Sequence, residues 1–203
     1  FQSHKLKVDN SLSVSELLKS FVIQLQQNDK LLALNVHRNF QRIPFIFPEA
    51  YLLHLIRDPR DVANSSIGMG WAGNIYYGVD HWIRTENSWQ SLMSLLDDNR
   101  HATVKYEDLV LNPEAQLTTI CHFMDVQFSP SMLTYNEHST YSRPDAKFVD
   151  QWRSRLTLKE VKQLESKAKT LMGELGYILS EGKPELPTVF DKIKLGTSNI
   201  IYK

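Results

Sequence analysis

An apolar run that ends in a helix start limits most strongly what this chain can fold into. Tyr51 to Ile56 reads Tyr-Leu-Leu-His-Leu-Ile, and one arginine later comes Asp58-Pro59. The aspartate carboxylate can accept from the free N–H groups of a first helical turn. Proline suits the position after it, because its missing N–H has no partner there anyway. A buried strand thus passes into a helix, predicted over Pro59 to about Met69. A second run, His101 to Tyr106, leads in the same way towards a helix opened by Pro113 and running through Met124. Leu31 to Val36 is a short apolar run with a β-branched end and predicts a further buried strand.

Helical spacing fills the intervals. Ser13-x-x-Glu16 has the form of a capping box, followed by Val14, Leu17, Leu18, Phe21, Val22 and Leu25 on one predicted buried face. Asn39 to Phe47 predicts a short helix with Pro44 in its first turn. Residues 79 to 97 predict a long helix with Trp82, Ile83, Trp89, Leu92, Met93 and Leu96 inward. Thr157-x-x-Glu160 is a second capping box, and Gly176 is placed to end its helix. Gly68, Gly70, Gly73 and Gly78 surround Trp71, Tyr76 and Tyr77, which predicts a mobile aromatic loop able to lie over an aromatic or sugar ligand or to pack on the long helix. Strands alternating with helices predict an α/β domain with parallel pairing over residues 1–181 and a surface tail over 182–203.

Composition narrows the function classes. The 203 residues hold 23 Lys+Arg and 23 Asp+Glu, so no global basic field draws the chain onto nucleic acid. The single cysteine, Cys121, excludes an internal disulfide and a cysteine zinc site, and fits a reducing, cytoplasmic setting. The seven histidines show no tight spacing with acids, so no metal is expected. His54 reads as a core histidine inside its strand. No apolar run is long enough for a transmembrane helix.

In parallel sheets ligands sit at the carboxyl ends of the strands. There the chain places Arg57-Asp58-Pro59-Arg60-Asp61, with Ser65 eight residues after Arg57. A helix N-terminus, a bidentate guanidinium and a hydroxyl suit a phosphate. On chemistry alone the same letters also read as a salt-bridged turn with a surface serine.

The stretch from Tyr51 through Arg57-Asp-Pro-Arg-Asp61 to Ser65 resembles the 3′-phosphate motif of the nucleotide-dependent sulfotransferases. Val104-Lys-Tyr106-Glu107-Asp108-Leu109 with Asn112-Pro113 resembles their second signature. Phe40 to Pro48 is similar to the segment before the phosphate strand in bacterial members, and Gln151-Trp152-Arg153-Ser-Arg-Leu156 to a late tryptophan element. The resemblance spans roughly residues 31 to 178.

It implies a three-layer α/β fold, a parallel sheet flanked by helices and related to P-loop nucleoside triphosphate hydrolases. It also implies transfer of a sulfuryl group from 3′-phosphoadenosine-5′-phosphosulfate, as co-substrate, to a hydroxyl or amine of a small molecule, sugar or lipid. By the same resemblance, Arg57 and Ser65 would bind the 3′-phosphate and Tyr106 would lie against the adenine. Arg143 and Lys147 would belong to a basic loop closing over the phosphate, and His37 would stand where many members carry a catalytic histidine. Glu107 and Asp108 would cap or brace the helix that follows them. Asp61 would turn towards backbone or Arg60.

The family's Ser-Gly-Thr-type turn for the 5′-phosphosulfate has no counterpart upstream of His37, and no glycine precedes Gly68. Three alternatives stay open: a piece of a longer enzyme, a non-catalytic nucleotide-binding or interaction module on the same fold, or a loop supplied from elsewhere. A P-loop kinase is disfavoured because no Gly-Lys-Ser/Thr run appears. Exposed faces of the long helix leave room for a homodimer.

Overall fold

The computed structural model describes residues 6–26, 30–37, 39–137, 139–140, 142 and 145–202. Its contacts divide the chain into two compact units, Phe1–Tyr51 with Ser88–Arg100, and Leu52–Asn87 with His101–Lys203.

In the first unit, α1 (Val14–Leu25) starts at the expected capping box. The Ser13 N–H donates to Glu16 Oε2 at 2.9 Å, and the Glu16 N–H returns to Ser13 Oγ at 3.4 Å. The predicted buried face is only half-buried: Leu17, Phe21, Val22 and Leu25 are partly covered, and Val14 is 77% exposed. A 3₁₀ turn over Phe40–Arg42 leads into α2 (Ile43–Ile46), with Pro44 in its first turn.

The strand predicted over Leu31 to Val36 is not formed. That segment is irregular, with Leu31, Leu34 and Val36 exposed. An apolar run with a branched end satisfies the strand pattern, but a strand also needs a ladder partner, and it has none among the described residues. Arg100 gathers the end of the unit. Its Nη2 donates to the carbonyls of Pro48 (2.6 Å) and Ala50 (3.0 Å), and its Nη1 lies 3.3 Å from Glu49 Oε2.

In the second unit, β1 (Leu52–Ile56) pairs in parallel with β2 (His101–Lys105), in register from Leu52↔His101 to Ile56↔Lys105. These two strands are the sheet among the described residues, where the sequence predicts three. β1 runs into α3 (Pro59–Gly68), capped by Asp58, whose carboxylate accepts from the Arg60 N–H at 2.8 Å. The long helix α4 (Ile75–Met93) starts four residues before its predicted start at residue 79 and stops four before 97. Tyr76 and Tyr77 therefore belong to its first turns, and the glycine-rich loop is shorter than expected. Gly78 is where α4 crosses α3: a Cβ there would lie 2.7 Å from the Ala63 carbonyl oxygen. Only a residue without a side chain permits that approach.

After β2 come α5 (Tyr106–Leu111), α6 (Pro113–Phe123), a 3₁₀ stretch over Pro130–Glu137, a 3₁₀ turn over Ala146–Phe148, α7 (Trp152–Arg155) and α8 (Leu158–Glu174). The Thr157/Glu160 capping box opens α8 as predicted, and Gly176 follows it with φ of 70°. The core joins Ile56, Ala63, Ile75, Val79, Trp82, Leu164, Ala168, Leu171, Met172 and Tyr177.

His54 is buried as expected, its Nε2 3.0 Å from Glu86 Oε2 and its Nδ1 3.4 Å from Thr103 Oγ1. The segment read as a surface tail holds a further helix, α9 (Val189–Ile201), started by a Thr188/Asp191 capping box.

Candidate functional site

The parallel register brings the residues that follow β1 and β2 side by side, and these are Arg57 and Tyr106. The Arg57 guanidinium lies over the Tyr106 ring, 4.6 Å from its centre. Its Nη2 donates to the Phe148 carbonyl at 2.6 Å and lies 3.5 Å from Asp61 Oδ2. Its Nε is buried and has no hydrogen-bond partner among the described residues. The Trp82 indole N–H donates to the Arg57 carbonyl at 3.0 Å, which fixes the main chain at this point.

Arg60 is in a different position. It is 3% exposed, with Nε and Nη2 on the Asp58 carboxylate (2.9 and 2.6 Å) and Nη1 on Glu165 Oε1 (2.9 Å). Its guanidinium also lies 3.8 Å from the centre of the Trp152 ring system. Burial works against its charge, but Asp58 and Glu165 outweigh that and hold it more basic than usual. Glu165 is itself fully buried and accepts from Ser180 N–H (2.9 Å) and Oγ (2.8 Å). Arg60 is therefore a structural cation with each guanidinium nitrogen engaged by a carboxylate.

Glu107 braces the start of α3 and Tyr177, and not the helix that follows it as the sequence predicts. Oε1 accepts from the Asp58 N–H at 2.9 Å, and Oε2 from the Tyr177 hydroxyl at 3.1 Å. Burial, with Glu107 beside it, pushes the Tyr177 hydroxyl far above the ordinary phenol range. Asp61 turns to backbone, the Trp152 N–H at 2.8 Å, and to Arg57; the expected alternative, Arg60, is held elsewhere. Burial pushes the Asp61 carboxyl up, against the pull of the Trp152 N–H and Arg57.

Ser65 lies one turn beyond Asp61 on the same stripe of α3. It is exposed, and its hydroxyl has no partner among the described residues. Lys147 is also exposed, with its Nζ 2.7 Å from Asp145 Oδ2. Arg143 lies outside the described residues. His37 belongs to the other unit, exposed and in no strand. The geometry thus brings Arg57 and Tyr106 together and sets Ser65 on the helix that Arg57 introduces.

Sequence reasoning missed Phe148, whose contribution is a main-chain carbonyl and so leaves no signature. It also missed Glu165, although Val161 four residues before it and Ala168 three after it place this acid on the apolar stripe of α8. A surface cavity of ≈ 830 Å³ lies elsewhere, lined by Asn112, Pro113, Glu114, Ala115, Thr118 and Leu133. That lining has no cation and does not suit an anionic ligand. Among the described residues no group of histidines, cysteines and acids has the arrangement of a metal site.

The sulfotransferase family profile matches residues 7–130, more than half of the chain, and the chain belongs to that family. No curated protein matches it. Solved structures that share its fold include two sulfotransferase domains. The sulfotransferase domain from the curacin biosynthetic pathway is 21% identical, with a TM-score of 0.63 over 83% of this chain and 70% of that one. The sulfotransferase domain from the Synechococcus PCC 7002 olefin synthase is 23% identical, with a TM-score of 0.68 over 82% of this chain. The chain spans 65% of that domain's length.

Proposed function

We propose that this protein binds 3′-phosphoadenosine-5′-phosphosulfate at the ends of β1 and β2 and transfers its sulfuryl group to a hydroxyl or amine. The acceptor would be a small molecule, sugar or lipid. The observation that carries the reading is Arg57, directly after one strand, stacked on Tyr106, directly after its parallel neighbour. A guanidinium with an unengaged buried Nε and an aromatic face beside it suits a phosphate attached to a nucleoside.

In this reading Arg57 and Ser65 hold the 3′-phosphate and Tyr106 lies against the adenine. Lys147, with Arg143, supplies further positive charge from the segment before Trp152. The acceptor oxygen or nitrogen attacks sulfur as the bond from sulfur to the bridging phosphate oxygen breaks. The acceptor proton passes to a base, for which His37 is the candidate, and 3′-phosphoadenosine-5′-phosphate leaves. The lone Cys121, buried and unpaired, supports a cytoplasmic setting.

Thermal melting with 3′-phosphoadenosine-5′-phosphate, against adenosine 5′-phosphate, tests the site. The first nucleotide is expected to raise the melting temperature more than the second, and Arg57→Ala to erase the difference. Equal shifts in wild type would overturn the assignment.

A further inference from the structure

α9 is built inside out. At 100° per residue, Val189, Ile200, Ile193, Phe190 and Ile201 fall within an arc of about 120°. All five are exposed, by 73%, 83%, 63%, 85% and 65% respectively. Leu186, just before the helix, is 78% exposed. The opposite arc, which is polar apart from Leu195, meets the rest of its unit. Asn74 Nδ2 donates to the Leu195 carbonyl (2.7 Å) and Ser198 Oγ (2.8 Å), and the Gly73 N–H to Asn199 Oδ1 (2.8 Å). Asp191 is paired with Lys159 at 2.6 Å. A Cβ on Gly73 would collide with the Ser198 carbonyl, so the two backbones meet at close range. These contacts set the orientation of the helix and leave the apolar arc facing outward.

Two charges border that arc. Lys192 and Lys194 fall on either side of it, both exposed and neither paired with a carboxylate among the described residues. The only acid of the helix, Asp191, points away and is neutralised by Lys159. A protruding apolar strip with a basic border matches the interface of an anionic bilayer, where acyl chains take the side chains and headgroups meet the ammonium groups. It does not match a second copy of itself. Thirteen residues make a strip roughly 20 Å long and about 10 Å wide, on the order of 200 Å², well short of the ~800 Å² per partner of a stable complex. Such pairing would also bring the lysine borders together with no acid between them.

We propose that α9 is an interfacial helix that lays its outward apolar face on an anionic lipid surface. No helix among the described residues is long and apolar enough to cross a membrane, so this contact would be peripheral. It stands independently of the sulfuryl-transfer reading.

The test is co-sedimentation of the full chain with phosphatidylcholine vesicles, with and without about one third phosphatidylserine. Binding is expected to the anionic vesicles alone and to weaken with salt. Ile193→Glu is expected to reduce it at least about tenfold, and Lys192→Gln with Lys194→Gln to reduce it less. These side chains are exposed, and an unchanged melting temperature verifies that the variants fold. In a second measurement, Phe190→Trp is expected to shift its emission to the blue on anionic vesicles.

Four results would overturn the proposal. They are no binding to either vesicle, equal binding to both, binding unaffected by Ile193→Glu, or a concentration-dependent dimer abolished by Ile193→Glu without any vesicle binding.

Discussion

Arg57 and Arg60 are three residues apart and have opposite fates. Arg60 meets two carboxylates, and removing one leaves a buried charge half-compensated. Glu165→Ala is therefore expected to destabilise the fold by about 3–5 kcal/mol, read as a lowered denaturant midpoint. Because Ser180 loses its acceptor in the same step, Glu165→Gln should recover part of that loss.

Asp61 carries a pH prediction. Its folded-state pKa is raised above the ordinary 3.8, chiefly by burial. A raised carboxyl favours folding below its unfolded pKa, and that advantage is lost as pH rises through the folded value. Relative to Asp61→Asn, wild type should therefore lose stability as pH climbs from below 3.8 towards neutrality, measured by urea unfolding at each pH. Asp191 has the opposite sign. Lys159 and Thr188 hold its carboxyl down at about 2, so its contribution is present above the ordinary value of 3.8 and fades as pH falls through about 2.

Elements were legible where a local signal and a tertiary partner agree. Asp58-Pro59 marks the start of α3 because cap and proline act within one turn, and the Ser13 and Thr157 boxes mark α1 and α8 for the same reason. Leu31 to Val36 has the letters of a strand without a partner to pair with. α9 was hidden because the two prolines of its approach, Pro184 and Pro187, read as a broken surface tail. Its own box, Thr188-x-x-Asp191, uses the shorter acid and stands before no inward apolar face.

At the site, Arg57 and Tyr106 were readable as letters at strand ends, and Ser65 as one on the helix after the first. The engagement of Arg57 by the Phe148 carbonyl and of Asp61 by the Trp152 N–H was not, since main-chain groups carry no identity. The α3–α4 crossing gives the element-scale prediction. Gly78→Ala forces a methyl against the Ala63 carbonyl and should cost roughly 1–3 kcal/mol, seen as a lowered melting temperature.

Across the whole molecule burial is uneven. No residue of α1 is fully buried, whereas Leu164, Ala168 and Met172 of α8 are at most 1% exposed. Amides of α1 are expected to exchange with deuterium well before those of α8, followed peptide by peptide in native buffer. Equal protection of the two helices would contradict this ordering.

The Phe148 carbonyl on Arg57 also bears on selectivity. One arm of the guanidinium is already spoken for, so an incoming oxygen does not simply add to an empty cation; it competes with a peptide dipole held at 2.6 Å and a carboxylate at 3.5 Å. A dianionic phosphomonoester can win that contest, while a neutral oxygen or a singly charged diester starts at a disadvantage. At the proposed phosphate site the turn before Trp152 would thus act as a doorkeeper that screens visitors by how much negative charge they bring.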